Sequence, residues 1–119
     1  MLPPESPRFS HLSASRQALV RLCQSTNYGH IQDLAVRDRE PIFSDSKWVV
    51  FVDVKLDSGD LPRAEIAASD FVLAIEIARL MALLDTIRDG KIARLEVRAG
   101  LPRKVTFEKR FQEIAGLSM

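Results

Sequence analysis

LVRLCQSTNYGHIQDLAVRDREP, residues 19–41, and LMALLDTIRDGKIARLEVRAGLP, residues 80–102, are one pattern written twice at an offset of 61 residues. Leu19 matches Leu80, Leu22 matches Leu83, Gly29 matches Gly90, Ile31 matches Ile92, Leu34 matches Leu95, Val36 matches Val97, Arg37 matches Arg98 and Pro41 matches Pro102. Chance gives roughly one or two identities in such a window, so the eight found mark an internal repeat. Each copy reads as helix, glycine, strand and turn.

The first helix starts after Ser13 or Ser15, both good N-cap residues, and its buried stripe is Leu19, Leu22, Cys23 and Thr26. Arg16, Gln17, Arg21 and Gln24 fall on its other side. Gly29 and Gly90 stand where a helix C-terminus favours a left-handed residue. In the second hairpin, parity puts Leu95, Val97, Val105 and Phe107 on one face if the loop is Arg98-Ala99-Gly100. Pro102 lacks an N–H, which places the return strand at an edge or a bulge. In the first copy Arg39 replaces Gly100, and a left-handed arginine costs on the order of 1 kcal/mol.

After Pro41 comes an insertion, residues 43–47, and then the strand Trp48-Val-Val-Phe-Val-Asp-Val-Lys-Leu56. Trp48, Val50, Val52, Val54 and Leu56 share one face, while the other runs Val49, Phe51, Asp53, Lys55 and Asp57. Apolar residues on both faces at its start read as a central, doubly covered strand. A turn at residues 57–62 leads to a second helix, expected from Asp70 to Arg88 with Ser69 as N-cap. Its apolar face is wider than one sheet covers, which points to a homodimer contact through Phe71, Ile75, Met81 and Leu84. Residues 111–117 read as a short helical turn.

The expected fold is therefore α+β, with two pseudo-symmetric αββ units, about 12–57 and 69–110. They form a largely antiparallel sheet with both helices on one face. This single domain, 12–119, follows a flexible arm, 1–11, whose prolines offer no hydrophobic face and whose Phe9 is the candidate to tuck back onto the core. The 119 residues with 46% apolar and 28% charged composition are ordinary for one globular core. The single Cys23 excludes an internal disulfide, and the start of the chain has no apolar run of signal-peptide type, so the expected location is the cytoplasm.

Neither His11 nor His30 has a partner at metal-ligand spacing, the five glycines form no phosphate loop, and no Gly-x-Ser-x-Gly elbow is present. No cofactor, metal site or catalytic residue is expected. Charge is uneven despite a net value of +1, and residues 88–110 hold eight bases against three acids. Lys91, Arg94, Arg98 and Lys104 on the second hairpin form the candidate anion or nucleic-acid surface, with Glu96 and Glu108 interleaved as ion-pair partners.

The run Asn27-Tyr28-Gly29-His30-Ile31, with the helix before it and the strand through Pro41 after it, resembles the helix, Tyr-Gly or Phe-Gly, and hairpin pattern of small uncharacterised bacterial proteins. Arg39 departs from the glycine usual there. The resemblance implies an architecture and no activity. The leading functional expectation is a non-enzymatic protein-binding or adaptor module, homodimeric. Nucleic-acid binding by the basic hairpin stands second and a small-molecule enzyme third, with no membrane partner.

Overall fold

The Ser13 hydroxyl accepts the Arg16 amide at 3.3 Å and so starts helix α1, Ala14–Thr26, in the computed structural model, which describes residues 7–59 and 61–108. Strands β1, Tyr28–Arg37, β2, Glu40–Ile42, and β3, Val49–Val52, follow. Helix α2, Ile75–Ile87, then leads into β4, Gly90–Arg98, and β5, Leu101–Glu108. Among the described residues the fold is α+β, two α-helices and a five-stranded sheet in the order β2-β1-β4-β5 with β3 also on β1, and every ladder is antiparallel. Because β4 lines β1 from Tyr28 to Val36, β2 and β3 share its other edge, β2 beside Ala35–Arg37 and β3 beside Gly29–Gln32.

Ile31, Leu34 and Val36 of β1 and Ile92, Leu95 and Val97 of β4 are buried together with Leu19, Val20 and Cys23 of α1 and Ile77, Leu80 and Leu84 of α2. One cluster drawing on one sheet face and both helices puts the helices on the same side. Burial advances by three residues from Ile31 to Leu34, because Asp33 sits at φ 61 and kinks the strand, and β4 has a register shift between Ile92 and Arg94. Fully burying each such Leu or Ile contributes about 1.5 to 3 kcal/mol, so this seam dominates the local propensities around it.

The hairpin turns differ from the three-residue loop expected. Arg98 pairs with Leu101 and Arg37 with Glu40, leaving two-residue turns whose central residues all have positive φ: Asp38 51, Arg39 67, Ala99 54 and Gly100 76. Such turns match the strands' right-handed twist. The parity shift that a three-residue loop would supply comes from the bulge between Glu96 and Val97. Among the described residues β5 is an edge strand, and the bulge lies beside Pro102, so both placements that the proline allows are present.

The helix ends also correct the expectation. The left-handed positions are Asn27 (φ 63, ψ −60) and Arg88 (φ 62, ψ −72) rather than Gly29 and Gly90, and at Arg88 the Asp89 amide closes a γ-turn onto the Ile87 carbonyl at 2.7 Å. The Arg39 N–H donates to the Arg88 carbonyl at 2.9 Å, and the Gly100 N–H donates to the Asn27 carbonyl at 2.9 Å.

The expected arm is ordered where it is described. Phe9 is buried and stacked 4.9 Å from Phe71, and residues 7–9 run antiparallel to 71–73 through Phe9 N–H to Phe71 O at 2.9 Å and Leu73 N–H to Pro7 O at 3.0 Å. That pairing keeps residues 71–73 extended, so α2 starts at Ile75 with Ala74 as N-cap and not at Asp70. Asp70 accepts Arg8 and the Ser10 amide instead, and those two hydrogen bonds, Arg8 first, hold its carboxyl well below the usual range. The expected turn at 111–117 lies outside the described residues.

Arg16 fastens α1 to the first hairpin and to α2. Its side chain is 14% exposed, and the guanidinium donates to Glu40 at 2.9 Å, to the Arg39 carbonyl at 2.9 Å and to Asp85. Burial alone would push the Glu40 carboxyl up. Hydrogen bonds from Ser13, Arg16 and Ser15, with the Arg16 charge, bring it below its ordinary value. Its stabilising contribution is complete above the unfolded pKa and is lost as pH falls through the depressed folded one.

Two stability measurements follow from these contacts. Arg16→Met lowers stability by about 2 kcal/mol at neutral pH and flattens the loss of stability in acid, both read from denaturant midpoints against pH. Arg39→Gly raises stability by about 0.5 to 1 kcal/mol, since glycine takes positive φ without a Cβ clash.

Candidate functional site

A strand read as central is in fact an edge. Only Val49–Val52 of the apolar run 48–56 forms β3, it pairs with β1 alone, and among the described residues no strand lies against its other side. The reason is topological: β1 is already held on its far side by β4, so the inserted strand can pair only at the margin of the sheet.

Gly29 is what lets β3 lie there. A Cβ built on Gly29 would stand 1.9 Å from the Phe51 carbonyl oxygen, and its φ of 153 is one that L side chains rarely adopt. The loop from Phe43 to Trp48 is fixed by its own aromatics, with the Trp48 indole N–H donating to the Phe43 carbonyl at 3.0 Å and the rings edge-on at 5.2 Å. Phe51 stacks on His30 at 4.7 Å on the face away from the helices.

The ladder decides which backbone groups face outward. Asp53 N–H donates to the Tyr28 carbonyl at 2.7 Å, so by alternation Asp53, Phe51 and Val49 address β1. Val50 and Val52 therefore present N–H and C=O to the free edge. Around them Val49, Phe51 and Val52 are about half exposed, and beyond the start of β1 the chain overhangs with Val54 at 72% and Leu56 at 96% exposure. The Lys55 ammonium lies 5.6 Å from the centre of the Tyr28 ring.

The expected basic surface is split. Lys91 is engaged by Asp33 at 3.3 Å and Glu108 at 3.8 Å, and Lys104 stands opposite Glu96. Arg94, Arg98 and Lys104 are exposed, Arg94 and Arg98 on the β4 segment opposite Gln32 and Tyr28. Lys109 and Arg110 lie outside the described residues. A shallow groove of about 940 Å³ beside Lys91 is bordered by Asp33, Arg37, Asp45, Lys47 and Asp89, a mixed-charge lining without a convergent pair.

The expected dimer surface is corrected. Met81 and Leu84 are buried against the chain's own sheet, and Phe71 precedes α2 and packs on Phe9 under the Arg21 guanidinium, leaving Ile75, 59% exposed, as the one outward residue of the four. Of these residues Phe71 is the one that the N-terminal segment covers, through Phe9. Gln24, expected outside, is buried, and Arg21 donates to it at 2.9 Å and to the carbonyls of Glu65 and Ala68, which ties the crossover to α1.

The Cys23 thiol is buried in the core and burial pushes its pKa up to about 12, which leaves it a packing group. Among the described residues no three His, Cys, Asp or Glu side chains are grouped to hold a metal, and no helix is long and apolar enough to cross a membrane. No protein-family model, curated protein or solved structure matches the chain.

Gly29→Ala is expected to cost about 3 kcal/mol and to free β3 from β1. Faster amide exchange at Phe51 and Asp53, with Ile92 and Leu95 still protected, is the measurement that identifies this local release.

Proposed function

We propose that this chain is a small non-enzymatic protein-binding module, made of two αββ units related by a pseudo-twofold axis, that holds its partner along the free edge of β3. The edge carries the reading: outward backbone groups at Val50 and Val52, flanked by exposed Phe51, Val52 and Val54, are what strand addition uses.

The two sheet edges support it by contrast. β5 is blunted by Pro102, Arg103 and Lys104, the devices that keep an edge from pairing, whereas β3 has none of them from Trp48 to Val52. For the two-unit reading the support is reciprocity. Arg39 to Arg88 and Gly100 to Asn27 are the same hydrogen bond with the units exchanged, and the pair Ile31 with Leu95 becomes Leu34 with Ile92 under the 61-residue offset. In this reading the first unit has given up a continuous return strand for β2, the loop at Phe43–Trp48 and the bare edge.

Single-stranded nucleic acid on the helix-free face is the second reading. Its support is the Phe51–His30 stack on the sheet that also carries exposed Arg94, Arg98 and Lys104. Glu96, opposite both His30 and Lys104, weakens that face for phosphate.

Affinity capture from the native cell, with and without nuclease, separates the two. Val52→Pro removes an outward N–H, leaves the β1 ladder intact and changes stability by less than about 1 kcal/mol. It is expected to abolish protein capture, and nuclease is expected to have no effect. Capture lost on nuclease treatment and in Arg94→Glu, but kept in Val52→Pro, would replace the edge with the nucleic-acid face.

A further inference from the structure

The segment Pro7-Arg8-Phe9-Ser10 lies on the domain as an extended peptide lies on a receptor. Its backbone adds one antiparallel bridge to residues 71–73, through Phe9 N–H to Phe71 O at 2.9 Å and Leu73 N–H to Pro7 O at 3.0 Å. The two oxygens of Asp70 divide between the Arg8 guanidinium, at 2.8 Å, and the Ser10 N–H, at 2.9 Å. The Phe9 ring stacks on Phe71 at 4.9 Å with the Arg21 guanidinium 4.3 Å from its centre, and the Gln17 amide donates to the Phe9 carbonyl at 3.3 Å.

We infer that this is a peptide-binding seat, filled in cis by the chain's own segment, whose ligand in trans is an extended peptide of another protein with arginine followed by an aromatic residue. It uses other elements than the β3 edge and is independent of it. Each contact states one requirement of the ligand. Asp70 takes a cation at the first position, Phe71 and Arg21 take an aromatic ring at the second, and the bridge takes an extended backbone. Pro7 contributes a carbonyl to the bridge, a group that every residue has.

The clamp on the ring is held from outside the segment. Arg21 is fixed by Gln24 at 2.9 Å and by the carbonyls of Glu65 and Ala68 at 2.9 and 2.5 Å, Gln17 stands on α1, and Leu73 is buried. A seat fixed in this way keeps its form when its occupant leaves. The occupant is lightly attached: of residues 7–11 only Phe9 is buried, and its release breaks no pairing of the five-stranded sheet. A ligand therefore competes with the segment, and its apparent affinity falls with the fraction of chains whose seat is closed.

Fluorescence anisotropy of a labelled peptide, Pro-Arg-Phe-Ser-His, the sequence of residues 7–11, tests this with the full chain. Phe9→Ala empties the clamp in cis and is expected to bind the peptide roughly tenfold tighter than the wild type, or more. Asp70→Ala added to Phe9→Ala, or a peptide with alanine for its phenylalanine, is expected to lose that gain. Arg8→Glu keeps Phe9 and turns the clasp at Asp70 into a repulsion, and it is expected to fall between the wild type and Phe9→Ala. Circular dichroism identifies the folded variants, and a misfolded Phe9→Ala leaves the test to Arg8→Glu. No gain over the wild type in a folded variant, or binding indifferent to Asp70 and to the peptide's phenylalanine, overturns the inference. Val52→Pro added to Phe9→Ala is expected to leave the binding unchanged. A peptide lost there and kept when Asp70→Ala is added instead lies on the β3 edge, which overturns the seat and leaves the edge reading standing.

Discussion

The β1–β4 ladder is the constraint on which the rest of the molecule depends. Its register sets Ile31 beside Leu95 and Leu34 beside Ile92, which gathers four fully buried strand side chains of the core at one place under both helices. The ladder has 126 as the constant sum of its partner numbers from Tyr28–Arg98 to Val36–Gly90, so the kinks near Asp33 and Arg94 fall opposite each other and the pairing survives them. A kink on one strand alone would turn half of its apolar residues to solvent. Once that ladder is full, every later strand must go to a margin, which is how β3 comes to be bare on one side.

Much of the α+β architecture is legible in the residues themselves. A cap at Ser13, one of the two serines expected, the helix stripe at Leu19 and Cys23, the strand residues at Ile31 and Leu95, and an edge strand with a bulge beside Pro102, where an edge or a bulge was expected, all stand where the residue chemistry puts them. These are local signals: a cap oxygen, a periodicity, a missing N–H. What was illegible required knowing a neighbour. Gly29 looks like a cap because it follows a helix, and only the passage of the Phe51 carbonyl over it gives its actual reason. The left-handed residues Asn27 and Arg88 carry no such signal in arginine's case, since its conformation is imposed by the short connection from α2 to β4.

The candidate site was legible in pattern and not in place. Alternation separates the two faces over Val49–Val52, the part of the expected run that forms a strand, yet alternation says nothing about how many neighbours a strand has or where it ends. The excess apolar surface of α2 raised the same ambiguity with the opposite outcome. There Met81 and Leu84 pack on the chain's own sheet, and Phe71, ahead of the helix, is covered by Phe9 and the pairing of 7–9 with 71–73, ground that a partner was expected to take. A proline-rich segment with one phenylalanine gives little warning of this, because a single anchor has no periodicity. Binding surface and folding surface are chemically alike, and what separates them is whether the chain returns to cover its own apolar groups.

The placement of two unique residues gives the protein a pair of built-in reporters. Trp48, the only tryptophan, holds its indole N–H on the Phe43 carbonyl at the threshold of β3, so its emission follows the condition of that margin. Cys23, the only cysteine, lies sealed in the core, so its reaction with a thiol reagent clocks the opening of the whole domain. Margin and interior can thus be timed separately in the unmodified chain, without a label at either place.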